Sequence, residues 1–421
     1  MTFRLNKIKI IAFITLLVCS LVFLTGCSSS GTDHSIDDLA YVVGLGIDIG
    51  ENQPLKISFQ IALPSSASSG GEGGGGGSSQ SSNSIINTIE CNSIDQGINL
   101  ANSYVSKMVN LSHCKVIVFS EELAYKGISD YVYTLENKLQ VRPNCNIIIT
   151  RSSAEDFLDN SKPTLESLSS KYYEIAPTSS EYTGYTDAVD LGLFFSRFKD
   201  TFGEPYAILG GVNSKQTQNT SDSSSKSDSD VSYKANETPI SSKSNIENMG
   251  VAVFSGGKMV GELTGIETLC HLLITNRIKT CSISIPDPFE DNETIELTLL
   301  PDKKTKTEVD LVNGSPYIRS KVKLKASIGS IDKNSNYLNE ENIRKVEEYA
   351  NDYLKEHILS YLYKTSKEYK SDIAGFGQYA VKYFWTQQDW ENYNWLKRYK
   401  DAHFQVEVDT NLATTRLLLK T

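Results

Sequence analysis

Residues 24–27 read Leu24-Thr25-Gly26-Cys27, and the chain before them has a single character. Arg4, Lys7 and Lys9 make a positive start, and Ile8 to Leu24 is apolar with no charge after Lys9. That is the layout of an export signal. Small residues directly before a cysteine mark a lipoprotein signal peptidase site, where the Cys27 thiol takes a diacylglyceryl group and Cys27 becomes the new N-terminus. The other reading is an uncleaved anchor, although a run of about 17 residues is at the short edge of a spanning helix. In both cases the body folds outside the cytoplasmic membrane. Residues 1–26 are therefore expected to be a lipoprotein signal peptide and residues 27–35 a polar tether, with two acyl chains giving stable anchoring where one is marginal.

Loss of residues 1–26 removes Arg4, Lys7 and Lys9, so the net charge of −10 becomes −13 over the 395 residues from Cys27 onward. An acidic body excludes a nucleic-acid footprint, which needs a basic face. Five cysteines remain beyond Cys27 (Cys91, Cys114, Cys145, Cys270 and Cys281), and none has CxxC spacing. An odd count without that spacing argues against a disulfide framework or a zinc site. A Cys270–Cys281 bridge stays open.

Two segments cannot bury a core. Pro64 to Ser84 is Gly and Ser around a run of glycines, and Asn213 to Asn245 is almost entirely Ser, Asp, Lys, Thr and Asn. Both read as flexible linkers. Around them the pattern alternates strand and helix. Ala40 to Asp48 and Leu55 to Leu63 read as a hairpin. Ser93 caps a helix carrying Ile94, Ile98, Ala101, Val105 and Met108 on one face. Lys115 to Phe119 and Asn146 to Thr150 read as strands, with helices over Glu121 to Leu139, Ser153 to Leu158, Thr164 to Glu174 and Asp187 to Lys199. Strand–helix–strand order implies an α/β layer with local parallel pairing. Further on, Gly250 to Phe254 and Lys258 to Gly261 form a hairpin, and Thr264 with Glu267 forms a capping box. Glu296 to Leu299, Lys321 to Ala326 and Gln405 to Asp409 alternate as half-exposed antiparallel strands. One long helix from Asn339 to Lys364 packs on them.

The motifs of catalysis are missing. No two histidines flank a Glu at helical spacing, and there is no Gly-x-Ser-x-Gly elbow. His113-Cys114 is adjacent in sequence only, and Cys114 reads as the first core residue of a strand. His357 lies on the apolar stripe of the long helix and reads as core. Asp37, Asp38 and Asp48 read as a solvated strand entry rather than a cation site. Gly44-x-Gly46 lacks the rest of a dinucleotide fingerprint and reads as close strand packing. The densest unusual feature is aromatic: Trp385, Trp390 and Trp395 stand among Phe376, Tyr379, Tyr383, Phe384, Tyr393 and Tyr399. The reading favoured is a core that seals the last helices onto the sheet; the other is a partner or membrane-interface patch.

Four stretches taken together carry a resemblance. They are Ile36 to Asp48, Ser112 to Ala124, Gly250 to Leu263, and Ser371-Asp372-Ile373-Ala374-Gly375-Phe376-Gly377-Gln378-Tyr379 followed by Trp385 and Trp390. In this order, behind a lipobox, they resemble the Ger(x)C family, the C subunits of nutrient germinant receptors of spore-forming bacteria. The resemblance implies a lipoprotein, lipidated at Cys27, on the outer face of the cytoplasmic (inner spore) membrane. It implies two partners, the integral membrane subunits A and B. It implies a non-enzymatic role in receptor assembly or signalling, with no cofactor, no metal and no catalytic residue. A nutrient ligand on this subunit is left open and is not indicated. The fold implied is α+β, or mixed α/β, in three consecutive domains, each a β-sheet with packed helices. On this sequence they fall at 36–205, including linker 64–84, at 206–290, including loop 213–245, and at 291–421. The alternative from another class is a solute-binding lipoprotein of a membrane importer, which requires two similar lobes.

Overall fold

The computed structural model describes Phe13 and residues 35–63, 84–162, 165–166, 168–213, 232–239, 245–290, 293–330 and 339–412. Cys27, the rest of the signal and tether through residue 34, and most of both Ser-rich segments lie outside the described residues. The chain divides into two compact units, residues 1–39 and 40–421. In the first, Ile36–Asp38 makes one 3-10 turn.

Nine strands of the second unit form one sheet: β1 (Leu39–Ile49), β2 (Leu55–Ala62), β3 (Ser84–Cys91), β4 (Met108–Asn110), β5 (Val116–Ser120), β6 (Asn146–Thr150), β7 (Tyr206–Val212), β8 (Ile246–Ser255) and β9 (Lys258–Leu263). Their order is β3-β2-β1-β5-β6-β7-β8-β9, with β4 paired to β1. The centre, β1, β5, β6 and β7, is parallel. Antiparallel hairpins close both flanks. Alternation in β5 sends Ile117 and Phe119 to one face and Val116 and Val118 to the other. The helices Ile94–Tyr104, Ser129–Glu136, Leu191–Lys199 and Gly265–Thr275 add buried side chains to the first face. Ala154–Asn160 and Ser169–Ile175 cover the second. Buried on both sides, the parallel strands are almost wholly apolar.

The remaining strands form a second sheet in chain order: β10 (Cys281–Pro286), β11 (Thr294–Val312), β12 (Ser315–Ser330) and β13 (His403–Leu412). The long helix, Glu340–Tyr363, is capped by Asn339 and buries Val346, Ala350, Leu354, Ile358 and Tyr361. Among the described residues, no helix is long and apolar enough to cross a membrane.

The mixed α/β class, the capping box at Thr264 and the parallel centre agree with the sequence reading. Several details differ. The helix expected over Glu121 to Leu139 is two helices, Glu121–Lys126 and Ser129–Glu136, broken at Gly127, whose φ is 125°. β13 pairs with β12 in parallel rather than antiparallel, because the long helix returns the chain to the end at which β12 began. The strands expected of a middle domain are divided between the sheets: β7 to β9 extend the first and β10 begins the second. Both Ser-rich segments are insertions inside hairpins. Ala62 pairs with Ser84 across the first, and Val212 with Ile246 across the second. The two sheets differ in strand number and pairing, so these are not the two similar lobes of an importer's binding protein.

Candidate functional site

In open α/β sheets ligand crevices lie at the carboxyl ends of strands where consecutive connections part to opposite sides. Here that point is between β1, whose chain turns outward to β2, and β5, whose chain goes on to β6. A cleft of about 500 Å³ opens there, lined by Asp48, Glu51, Lys56, Ser120, Glu121 and Arg151 among others. Several of its groups are already engaged. The Asp48 carboxylate accepts from the Ala154 amide at 2.8 Å and the Glu155 amide at 3.2 Å. Burial nevertheless raises its pKa. Ser153 Oγ accepts from the Asp156 amide at 3.0 Å, so the first turn of the Ala154–Asn160 helix has no amide left for an anion. Asp48, 5% exposed, is thus a buried helix cap, neither the solvated strand entry expected from the sequence nor part of a cation site. Lys56 pairs with Glu155 at 2.5 Å. Arg151 pairs with Glu262 at 2.5 Å and Glu237 at 3.7 Å, and Lys234 with Glu262 at 2.7 Å. Neither His nor Cys lines the cleft.

Gly44 and Gly46 make room for a helix, not a cofactor. A Cβ on Gly44 would stand 2.8 Å from Leu158 Cδ2, and one on Gly46 would stand 3.1 Å from Ala154 Cβ. Cys114 is buried, with Sγ on the Val116 carbonyl, while His113 is exposed against Tyr41. His357 is half-buried beside the Tyr353 ring, not in the core, because it sits at the margin of the helix's apolar stripe. Cys91, Cys114, Cys145, Cys270 and Cys281 are buried, and no disulfide joins Cys270 to Cys281. Among the described residues no cluster of His, Cys, Asp or Glu could hold a metal ion.

One buried polar network escaped the sequence reading. His271 is fully buried on the Gly265–Thr275 helix, with Nδ1 2.8 Å from the Tyr361 hydroxyl and Nε2 3.6 Å from Asp187 Oδ2. Burial keeps the imidazole below its ordinary pKa. Arg277 meets the other Asp187 oxygen at 3.0 Å and donates to the Tyr206 hydroxyl at 2.7 Å. The network ties β7 to the long helix. Its members are far apart in sequence, so no local spacing announced it.

The aromatic segment has two parts. Trp390 and Trp395 are 2% and 1% exposed, whereas Trp385 is 99% exposed. The buried rings close over Asp372, whose carboxylate accepts from Gly375 N at 2.8 Å, Gly377 N at 3.1 Å and Trp395 Nε1 at 2.8 Å. Burial pushes the Asp372 carboxyl up to about 6 against those donors. A Cβ on Gly377 would lie 2.5 Å from the Phe202 carbonyl oxygen, so that position must be glycine. Glu204, whose amide donates to the Asp372 carbonyl, accepts from Gly256 N at 2.6 Å and is pushed up to about 7 by burial. Trp390 Nε1 donates to Thr201 Oγ1 at 2.8 Å. The rings therefore seal the segment that leads into β7.

Two family models match the chain. Residues 33–210 match the spore germination protein N-terminal domain, and residues 249–416 the spore germination B3/GerAC-like C-terminal domain. The chain belongs to the Ger(x)C family of spore germination proteins. Spore germination protein KC of Bacillus subtilis is 22% identical over 96% of this chain and 95% of its own. Spore germination protein GerQC of Bacillus cereus is 22% identical over 72% and 75%. The crystal structure of the GerBC protein shares the fold, with a TM-score of 0.50 at 18% identity over 88% of this chain and 97% of that one. The two Ger(x)C models part between residues 210 and 249, where the second Ser-rich segment separates β7 from β8.

Proposed function

We propose that this chain is the lipid-anchored, non-enzymatic C subunit of a nutrient germinant receptor. The observation that carries the reading is the match of both Ger(x)C domains, in order, downstream of the Leu24-Thr25-Gly26-Cys27 lipobox. The acyl chains on Cys27 hold the body on the outer face of the inner spore membrane, since a charge of −13 would not hold it to an anionic bilayer. There it stands beside two integral membrane subunits, A and B, and anchoring raises its effective concentration next to them. Its part is in assembly or signalling of the receptor that triggers germination. A cleft in which both cations, Lys56 and Arg151, are paired within the chain is in keeping with a role other than chemistry.

Cys27→Ala tests the anchor. The expected result is release of the protein from the membrane fraction and loss of nutrient-triggered germination. Unchanged retention together with unchanged germination would overturn it.

A further inference from the structure

Trp385 is the one ring of the aromatic segment that is wholly outside, and its position is fixed. Phe384 beside it has extended backbone (φ −115°, ψ 130°), and the Phe384 ring packs 5.4 Å from Trp390 and 5.0 Å from Tyr393. Successive side chains on extended backbone point to opposite sides, so anchoring Phe384 inward holds Trp385 outward. On the other side, Thr386 caps the Gln387–Tyr393 helix, accepting from the Asp389 amide at 3.1 Å. Tyr383 is exposed and donates to Asp310 Oδ1 at 2.7 Å. Lys382 Nζ lies 5.1 Å from the Tyr383 ring centre. Val312, at the end of β11, is also exposed, as is Tyr379. A basic residue among exposed rings is the composition that partitions into the headgroup layer of a bilayer.

The direction of the sheet says which way this tip faces. Its buried base packs on Thr201 and Phe202, just before β7 begins at Tyr206. β7 runs parallel to β6, β5 and β1, so the tip lies toward the amino ends of the parallel strands, the end at which the chain enters β1 near Ala40. β1 and β7 are three strand spacings apart, about 14 Å. Twelve residues lie between Cys27 and Ala40, which bounds the reach of an acylated Cys27 at about 45 Å. β1, the strand through which the chain enters the sheet, thus begins at the same end as the aromatic tip, and the polar cleft lies at the other.

We infer that Trp385, with Tyr383, Tyr379 and Lys382, is a membrane-interface contact that docks the body against phospholipid headgroups. This rests on the lipid-anchored reading above. The chain contains three Trp, and Trp390 and Trp395 are buried, so emission lost on Trp385→Phe isolates the exposed ring. The experiment uses the full lipidated chain in vesicles of phosphatidylglycerol and phosphatidylethanolamine, with and without a headgroup-nitroxide lipid. Wild type and Trp385→Phe are expected to melt alike and to float alike with the vesicles. The Trp385 component is expected to be blue-shifted and quenched by the nitroxide. A Trp385 component that stays water-exposed and unquenched on a chain that floats overturns the inference and leaves the anchor intact. A shift that needs the co-reconstituted membrane subunits overturns it in favour of a protein partner. A wild-type chain that does not float overturns both the inference and the anchor.

Discussion

At the carboxyl ends of β1, β5 and β6 the groups that face one another are ions: Arg151 with Glu262 and Glu237, Lys56 with Glu155, and Asp48 on a helix terminus. Before the start of β7, at the other end, they are rings around two buried carboxyls, Asp372 and Glu204. The first arrangement is half open to water and screened by salt. The second is dry, so its energy comes from packing and from hydrogen bonds with no competing solvent. The end with the crevice expected of an α/β sheet is thus the softer one. The rigid end is where the C-terminal segment, through Asp372, Gly377 and Trp390, is bolted to the Thr201–Glu204 loop of the first sheet.

The largest effect is expected at the bolt. Trp395→Ala removes a ring stacked 6.2 Å from Trp390 and takes one of three donors from the Asp372 carboxylate. Truncating a buried Trp costs about 4 kcal/mol, read as a drop in the chemical-denaturation midpoint. A loss under about 1 kcal/mol would be the size of a surface substitution and would break the contrast between the ends.

How much of this was visible beforehand follows from the range of the forces involved. Local rules placed Asn146–Thr150, the Thr264 capping box and the Asn339 cap, because alternation, Pro143 and cap chemistry act within a few residues. Favouring core for the three Trp was right for Trp390 and Trp395 and wrong for Trp385. What decides is the extended backbone at Phe384, which turns adjacent rings to opposite sides, and composition does not carry that. The parallel pairing of β13 and the Asp187–His271–Arg277 network depend on contacts across many tens of residues. The Ser-rich composition of Asn213 to Asn245 suggested a linker within a middle domain. In the fold it interrupts a hairpin of the first sheet, since β7 and β8 pair directly across it. In the cleft, Asp48 was visible as a carboxylate but not as a cap, because the amides it receives are more than a hundred residues away.

The next effect is in pH. Burial raises Glu204 from 4.5 to about 7. A carboxyl raised on folding binds its proton more tightly in the native state, so its contribution is full below about 4.5 and is lost as pH rises through about 7. The difference corresponds to roughly 3 kcal/mol at most. Wild-type stability should therefore fall between those pH values, and Glu204→Gln, which keeps the shape without the charge, should flatten that fall. An unchanged slope in Glu204→Gln would mean that Glu204 stays ionised and that water reaches the rigid end.

At the carboxyl end the same kind of substitution should behave differently. Burial would raise Glu262, but Lys234 and Arg151 outweigh it and hold its carboxyl below the ordinary range. Glu262→Gln leaves Arg151 facing Glu237 at 3.7 Å and Glu121 nearby, so the orphaned guanidinium is only partly stranded. The cost should be about 1 kcal/mol, between an exposed pair and a fully buried one. It should also depend on salt: raising the ionic strength to about 1 M shortens the Debye length to about 3 Å, and wild type and variant should converge. Trp395→Ala should show no such convergence, because screening cannot replace a ring. If instead Glu262→Gln cost as much as Trp395→Ala and ignored salt, the cleft would be as dry as the aromatic end, and the two ends would not differ in kind.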